Sequence, residues 1–176
     1  MPMSVENVKE SWDEIVVRVL KDNGVDLVAY VPDNVLSPLL KRLHADPYFQ
    51  IVVPAREEEA VGIVTGAYMG GRRGIALMQT SGFATIPNVL ASLPCPFQIP
   101  LVMMISERGA IGEFQQGQQM VWRTMRPVLQ SLGIETFSIQ ELAHVEFVVD
   151  RLIKQAFSTQ APSAILLSSL LTKRPQ

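Results

Sequence analysis

Three consecutive glutamates, Glu57 to Glu59, stand directly before a segment of small and apolar residues. If a helix begins near Arg56, Glu57 heads a face on which apolar side chains recur at intervals of three and four residues. A carboxylate at a close-packed apolar surface either finds a partner or keeps its proton, because burial disfavours its charged form. Glu57 is therefore a candidate proton donor or acceptor. The predicted apolar face comprises Ala60, Ile63, Val64 and Ala67.

The same three glutamates have a simpler interpretation. Acidic side chains favour the first turn of a helix, where the free N–H groups carry partial positive charge. Arg72 and Arg73 would complement the opposite charge at the other end of the same helix. Spacing separates the acids, since Glu58 and Glu59 point away from the apolar face and fit the simpler interpretation best.

Continuous apolar stretches alternate with helical patterns along the chain, which is typical of parallel strands buried on both faces. We predict strands at residues 25–32, 49–55, 74–79, 99–106, 134–139 and 163–169. Helices are predicted at 4–22, with Ser4 as N-cap, and at 34–45, 57–70, 81–93, 115–132 and 142–157. This pattern indicates an α/β fold with a doubly wound, mostly parallel six-stranded sheet and helices on both faces, as in flavodoxin-like domains.

Ligands of such sheets bind at the loops that follow the carboxyl ends of the strands. Arg56 and Arg108 could each hold an anionic group by paired hydrogen bonds or form an ordinary ion pair with a neighbouring glutamate. The ion pair is favoured for Arg56, and the two alternatives are balanced for Arg108. Ser81 could equally be the N-cap of the next helix. The candidate residues of these loops are Asp33, Asn34, Arg56, Glu57, Thr80, Ser81, Gly82 and Arg108.

Composition excludes several other functions. The chain has 176 residues and a formal net charge of −2, and basic residues do not cluster, so nucleic-acid binding has no electrostatic support. The most apolar run, residues 83–105, is interrupted by four prolines and does not suit a membrane span. The single cysteine, Cys95, fits a reduced cytoplasmic setting. No Cys/His cluster predicts a metal site, and neither nucleotide-binding glycine motif is present.

The segment "REEEAVGIVTGAY" resembles the pyrimidine-binding (PYR) domain of thiamine-diphosphate-dependent enzymes, in which the catalytic glutamate precedes a glycine by nine residues. Glu57 stands nine residues before Gly66. The stretches "GVDLVAYVPDNVLSPLLKRL", "GIALMQTSGFATIPNVLASLPCPFQIPLVMMIS" and "SERG" resemble further parts of the family, so the likeness covers nearly the whole chain. It is greatest to the separate alpha subunits of sulfopyruvate decarboxylases, with phosphonopyruvate decarboxylases as relatives. Thr80 and Ala84 depart from the usual asparagine and glycine of the "TSG" turn.

The resemblance implies decarboxylation of a small 2-oxo acid with thiamine diphosphate as cofactor. Glu57 would hydrogen-bond the ring nitrogen of the aminopyrimidine and promote its imino form. Thr80, Ser81 and Gly82 would border the pyrimidine or the substrate, and Asp33 would transfer a proton. Asn34, Arg56 and Arg108 would contact the substrate. The glutamines between residues 115 and 119 receive no role.

Half of the family's active site is missing from the sequence. The family holds Mg²⁺ on the cofactor's diphosphate through a Gly-Asp-Gly…Asn motif, and no Gly-Asp-Gly occurs in the chain. Residues 1–176 are therefore expected to form a single PYR domain, with the diphosphate-binding (PP) domain on a beta subunit in a heterodimer, an α2β2 tetramer or a larger assembly. Three questions stay open. The substrate could be sulfopyruvate, phosphonopyruvate or another 2-oxo acid, and the reaction could be acyl transfer instead of decarboxylation. The chain could also be a non-catalytic flavodoxin-like module.

Overall fold

The computed structural model of the protein describes residues 10–172. Its six strands form one sheet in the order β2-β1-β3-β4-β6-β5, and every neighbouring pair is parallel. The predicted fold class is confirmed, and the sheet is fully rather than mostly parallel. The strands are β1 (Val25–Tyr30), β2 (Gln50–Val52), β3 (Arg73–Gln79), β4 (Leu101–Ser106), β5 (Glu135–Ile139) and β6 (Pro162–Leu167).

Helices cover both faces of the sheet. One buried cluster joins the sheet to α1, α2 and α7, and a second joins its other face to α3, α5 and α6. The helices are α1 (Trp12–Asp22), α2 (Ser37–Ala45), α3 (Glu57–Met69), α4 (Thr80–Phe83), α5 (Pro87–Ser92), α6 (Gln116–Ser131), α7 (Val145–Thr159) and α8 (Ser169–Thr172). None of the helices within residues 10–172 is both long and apolar enough to cross a membrane.

The central strands explain the continuous apolar runs of the sequence. Successive side chains of a strand point to opposite faces, so a strand covered on both sides needs apolar residues throughout. In β3, Ile75 and Leu77 join the cluster with α1, α2 and α7, whereas Ala76 and Met78 join the cluster with α3, α5 and α6. All six residues of β4 are buried.

Some predicted helix boundaries were wrong. The first helix begins at Trp12; Ser4, its predicted cap, lies outside the described residues. The predicted helix 81–93 is two helices: α4 ends at Phe83, and Pro87 begins α5 at the first helical position, where a proline needs no N–H partner. The last predicted helix opens with a 3₁₀ turn at Leu142–His144 before α7.

Truncation of Leu77 tests whether the sheet core carries the stability of the domain. Leu77 is fully buried, so Leu77→Ala should lower the free energy of unfolding by about 2–5 kcal/mol through lost burial and a residual cavity. Urea denaturation of the purified chain measures this. Leu170→Ala is the matched control, because Leu170 is 47% exposed and its truncation should change stability by less than about 1 kcal/mol. Equal losses in the two variants would contradict the assignment of the core.

Candidate active site

A chain of hydrogen bonds links the carboxyl ends of β1, β3 and β4. The Ser106 hydroxyl donates to Oδ2 of Asp33 at 2.8 Å, and the Thr80 hydroxyl donates to the Ser106 carbonyl at 3.1 Å. The backbone N–H of Arg108 donates in turn to Oγ1 of Thr80 at 2.9 Å. The structure thus brings Asp33 and Thr80, which the sequence placed on separate loops, to one edge of the sheet. Ser106 was missed in the sequence, where it is simply the last residue of an apolar strand.

Glu57 is the first residue of α3, and its side chain lies against Gly82 at the start of the β3–β4 connection. A Cβ atom at Gly82 would lie 2.7 Å from Cδ and 2.8 Å from Cγ of Glu57, so the carboxylate occupies space that only a glycine leaves open. Glu57 is half-buried, and its carboxylate accepts no hydrogen bond from any residue between 10 and 172. Two of the candidate residues therefore form one contact.

The other two glutamates of the triplet are occupied. Oε2 of Glu59 accepts the backbone N–H of Ala55 at 2.9 Å. Glu58 accepts hydrogen bonds from Arg56 at 3.1 and 3.4 Å and from the Thr85 hydroxyl at 3.3 Å. The bonds from Arg56 are the main reason that the pKa of Glu58 lies below its ordinary value. Of the three glutamates, Glu57 is the one without a hydrogen-bond partner between residues 10 and 172.

The buried face of α3 differs in part from the predicted one. Ala60 and Val64 are buried as predicted, but Val61 and Thr65 are buried where Ile63 and Ala67 were expected. Ile63 and Ala67 are half-buried. The sheet-facing stripe is therefore rotated slightly about the helix axis, and Glu57 still heads it, because positions 57, 60, 61 and 64 follow the same three- and four-residue spacing.

Both rim arginines have a carboxylate partner within the chain. Arg56 is exposed and pairs with Glu58 at 3.1 Å, the ion pair that the sequence favoured. Arg108 is half-buried and pairs with Glu113 at 3.4 Å. The backbone N–H of Gln115 is the largest cause that holds the pKa of Glu113 below its ordinary value, and the charge of Arg108 adds to it.

The remaining candidates differ in their surroundings. Asp33 is buried, and its Oδ2 also accepts the backbone N–H of Leu36 at 3.2 Å. Asn34 is exposed, and its side-chain amide has no partner among the described residues. Ser81 is half-buried and is not an N-cap, because α4 begins at Thr80 with Gln79 in the cap position.

A second buried carboxylate, which sequence reasoning missed, fixes the loop after β4. Glu107 accepts hydrogen bonds from the Ser138 hydroxyl at 2.5 Å, the Arg126 guanidinium at 2.7 Å and the Trp122 indole at 3.3 Å. These bonds tie the loop that carries Arg108 to β5 and α6. Within the glutamine-rich stretch, the Gln119 amide donates to the Glu113 carbonyl at 2.9 Å and closes the same loop.

Comparison with known proteins identifies the family of the chain. Residues 11–124 match the family described as thiamine pyrophosphate enzyme, N-terminal TPP binding domain. The chain belongs to this family. The resemblance found in the sequence is thereby confirmed.

Relatives within the family are named decarboxylases. The sulfopyruvate decarboxylase subunit alpha of Methanothermobacter thermautotrophicus is 34% identical over 160 residues, which cover 91% of this chain and 97% of the relative. The phosphonopyruvate decarboxylase of Streptomyces viridochromogenes is 39% identical over 95 residues, or 54% of this chain and 24% of that protein.

One solved structure shares the fold. A 2-oxoglutarate:ferredoxin oxidoreductase from Magnetococcus marinus, solved with 2-oxoglutarate, coenzyme A and succinyl-CoA, superposes with a TM-score of 0.71 over 94% of this chain and 31% of that chain. At 13% identity the likeness concerns the fold alone.

The residues present fit the pyrimidine end of thiamine diphosphate. The Glu57 carboxylate beside Gly82 has no hydrogen-bond partner between residues 10 and 172, so it can accept a hydrogen bond from a ring nitrogen. Nearby, at the end of β3, Oε1 of Gln79 is buried without a hydrogen-bond partner. For the diphosphate end, no group of three or more His, Cys, Asp or Glu within residues 10–172 could hold a metal ion.

Gly82→Ala tests the contact with Glu57. The added methyl group overlaps the Glu57 side chain, so Glu57 should change rotamer and lose its position at the strand ends while the fold is kept. The crystal structure of the variant checks the rotamer, and thermal unfolding checks the fold. Gly117→Ala is the matched control, since a Cβ there meets nothing within 4 Å. An unchanged Glu57 rotamer in Gly82→Ala would contradict this prediction.

Proposed function

We propose that the chain is the alpha subunit of a two-chain, thiamine-diphosphate-dependent 2-oxo acid decarboxylase that converts sulfopyruvate to sulfoacetaldehyde and CO₂. The observation that carries this proposal is the Glu57 carboxylate, which lies against Gly82 without a hydrogen-bond partner in residues 10–172, in a chain of the thiamine pyrophosphate family. The substrate rests on the sulfopyruvate decarboxylase alpha subunits that match most of the chain.

In this proposal Glu57 binds the ring nitrogen of the cofactor's aminopyrimidine and holds the shared proton between its carboxylate and that nitrogen. Bound thiamine diphosphate supplies the electron sink that accepts the electron pair left when CO₂ departs. Gly82 keeps Glu57 in place, since any side chain there would displace the carboxylate. Thr80 and Ser81 border the same position, with Thr80 fixed through its bonds to the loop after β4.

Asp33 and Asn34 are proposed to face the substrate. One oxygen of Asp33 is held by Ser106 and by the N–H of Leu36, so the carboxylate has a fixed orientation for proton transfer. Asn34 has an amide free to donate a hydrogen bond to the substrate. Arg56 and Arg108 are less suited to bind it than the sequence suggested, because each already pairs with a carboxylate of the chain.

The other half of the active site belongs, in this proposal, to a PP-domain beta subunit that brings the Mg²⁺ ligands and the diphosphate site. Two observations support it: the sequence contains no Gly-Asp-Gly, and a relative of nearly equal length is named a subunit alpha. The chain is then a single PYR domain in at least a heterodimer, with α2β2 or a larger assembly as further forms. We place the assembly in the cytoplasm, in keeping with the single cysteine.

Phosphonopyruvate is a second candidate substrate. The 39% identity to a phosphonopyruvate decarboxylase over the part of the chain that aligns favours it. Both candidate substrates carry a carboxylate and a second acidic group. A panel of sulfo-, phosphono- and simple 2-oxo acids distinguishes the two.

The glutamate triplet offers a matched mutational series. In the assembled enzyme, Glu57→Gln should lower kcat by about 10²–10⁴-fold, because an amide cannot exchange the proton with the pyrimidine nitrogen. Glu58→Gln should change kcat by less than a few fold, since its carboxylate contacts only Arg56 and Thr85. Release of CO₂ from sulfopyruvate measures both. Retained activity in Glu57→Gln would show that Glu57 does not take part in catalysis.

The proposed division of the active site is tested by reconstitution. The chain alone, supplied with thiamine diphosphate and Mg²⁺, should release no CO₂ from sulfopyruvate. Co-expression with a chain that carries Gly-Asp-Gly and a downstream asparagine should restore turnover, and a chelator should abolish it. Full activity of the chain alone would show that the second subunit is not needed.

A further inference from the structure

A doubly anionic substrate needs a cation for its second acidic group, and the rim arginines of this chain are engaged. Arg56 pairs with Glu58 and Arg108 with Glu113. A carboxylate partner neutralises much of the charge of a guanidinium, so a paired arginine attracts a second anion less strongly than an unpaired cation does. A better candidate for this group is a cation that has no carboxylate partner and lines a cavity near the strand ends.

A cavity at the end of β1 contains such a cation, Lys41. It has a volume of about 690 Å³ and lies between the end of β1 and the helix α2. Asp33 and Asn34 line it at the strand end, and Ser37, Lys41 and His44 line it along α2. Positions 37, 41 and 44 are spaced by four and three residues, so they share one face of the helix. The cavity thus begins at two candidate site residues.

The polar groups of this cavity are largely unpaired. The Lys41 ammonium has no carboxylate within 4 Å among the described residues, and the Asn34 amide and the Ser37 hydroxyl lack side-chain hydrogen bonds there. His44 is held from one side, since its Nε2 lies 2.7 Å from the hydroxyl of the buried Tyr30. Asp33 is the one carboxylate in the lining, and its Oδ2 is directed to Ser106 and to the N–H of Leu36.

A neighbouring cavity of about 650 Å³ between α1 and α2 shows the contrast. It also contains basic residues, but each has an acidic partner. Arg18 pairs with Glu10 and Glu146, and Lys21 pairs with Asp46. Its charges are therefore neutralised within the chain, whereas the charge of Lys41 is not.

Helix geometry directs Lys41 towards the active-site edge. Side chains of an α-helix tilt towards its N-terminus, and the N-terminus of α2 follows the β1 strand end. Lys41 lies four residues after Ser37, about 6 Å along the axis, which an extended lysine side chain can span back. Its ammonium can therefore reach a group bound beside Asn34 and Ser37.

We propose that Lys41 binds the second anionic group of the substrate, with Asn34 and Ser37 as further hydrogen-bond donors. This inference rests on the proposed function, in that it assumes a 2-oxo acid with a sulfonate or phosphonate on its third carbon. Lys41 is then a specificity residue: it selects a dianionic substrate over pyruvate, which has an uncharged methyl group at that carbon. The proposal therefore places a substrate-binding residue, Lys41, on the side of β1 opposite to Glu57.

The test uses Lys41→Met in the assembled two-chain enzyme, with Lys41→Arg as the conservative variant. For sulfopyruvate, kcat/KM should fall by about 10- to 100-fold in Lys41→Met through a higher KM, as expected for loss of a charged hydrogen bond. For pyruvate, kcat/KM should stay within about two-fold, and Lys41→Arg should keep most of the activity on sulfopyruvate. Arg123→Met is the matched control, because Arg123 is an exposed residue of α6 outside this cavity.

A binding measurement separates this inference from the proposed function. Calorimetric titration with 3-sulfopropionate, an unreactive dianion of similar shape, needs no turnover. If the assembly decarboxylates no 2-oxo acid but binds 3-sulfopropionate more than ten-fold tighter than Lys41→Met does, the proposed function fails and the Lys41 site stands. Equal binding by both proteins, no binding by the wild type, or equal losses on sulfopyruvate and pyruvate would overturn the Lys41 proposal.

Discussion

The parallel register of β1, β3 and β4 is the constraint on which the rest of the molecule depends. Parallel strands place all their carboxyl ends at one edge, and each connection must cross the sheet as a helix. Asp33, Thr80 and Ser106 meet for this reason alone, although they are separated by up to 73 residues in the chain. The same register buries both faces of the central strands, so the candidate site rests on an apolar sheet.

Against this edge, Glu57 is held by shape and not by hydrogen bonds. The neighbouring carboxylates of Glu58 and Glu59 accept hydrogen bonds from Arg56 and Ala55, which directly precede α3, and this stabilises the start of the helix. Glu57 lies instead against Gly82, and its carboxylate accepts no hydrogen bond within the described part of the chain. Polar groups inside proteins usually find hydrogen-bond partners within the chain. A carboxylate such as that of Glu57, which is fixed by packing but accepts no hydrogen bond from the described residues, is therefore suited to a ligand that donates one.

Much of the fold and the position of Glu57 at the start of α3 could be predicted from the sequence, because both depend on local periodicity. The six strands follow from apolar runs, and the position of Glu57 follows from helical spacing. Contacts between distant segments could not be predicted in this way. The three bonds to Glu107 and the strand order both depend on tertiary geometry. One wrong prediction could have been avoided from the sequence alone. A proline inside a predicted helix, here Pro87, is a local signal that favours two helices.

The two faces of α3 give a physical reason for the proposed division of the active site between two chains. One face packs on the sheet through Ala60, Val61 and Val64, whereas the other exposes Gly62 and Gly66, where an added Cβ would meet nothing within 4 Å. Exposed glycines let another backbone approach closely, and Met69, 72% exposed, extends the apolar surface. Glu57 stands at the head of this helix. A beta subunit that covered the exposed face would exclude water from the end of the helix. Because electrostatic interactions are stronger in a less polar environment, this would strengthen the interaction between the Glu57 carboxylate and a bound ring nitrogen.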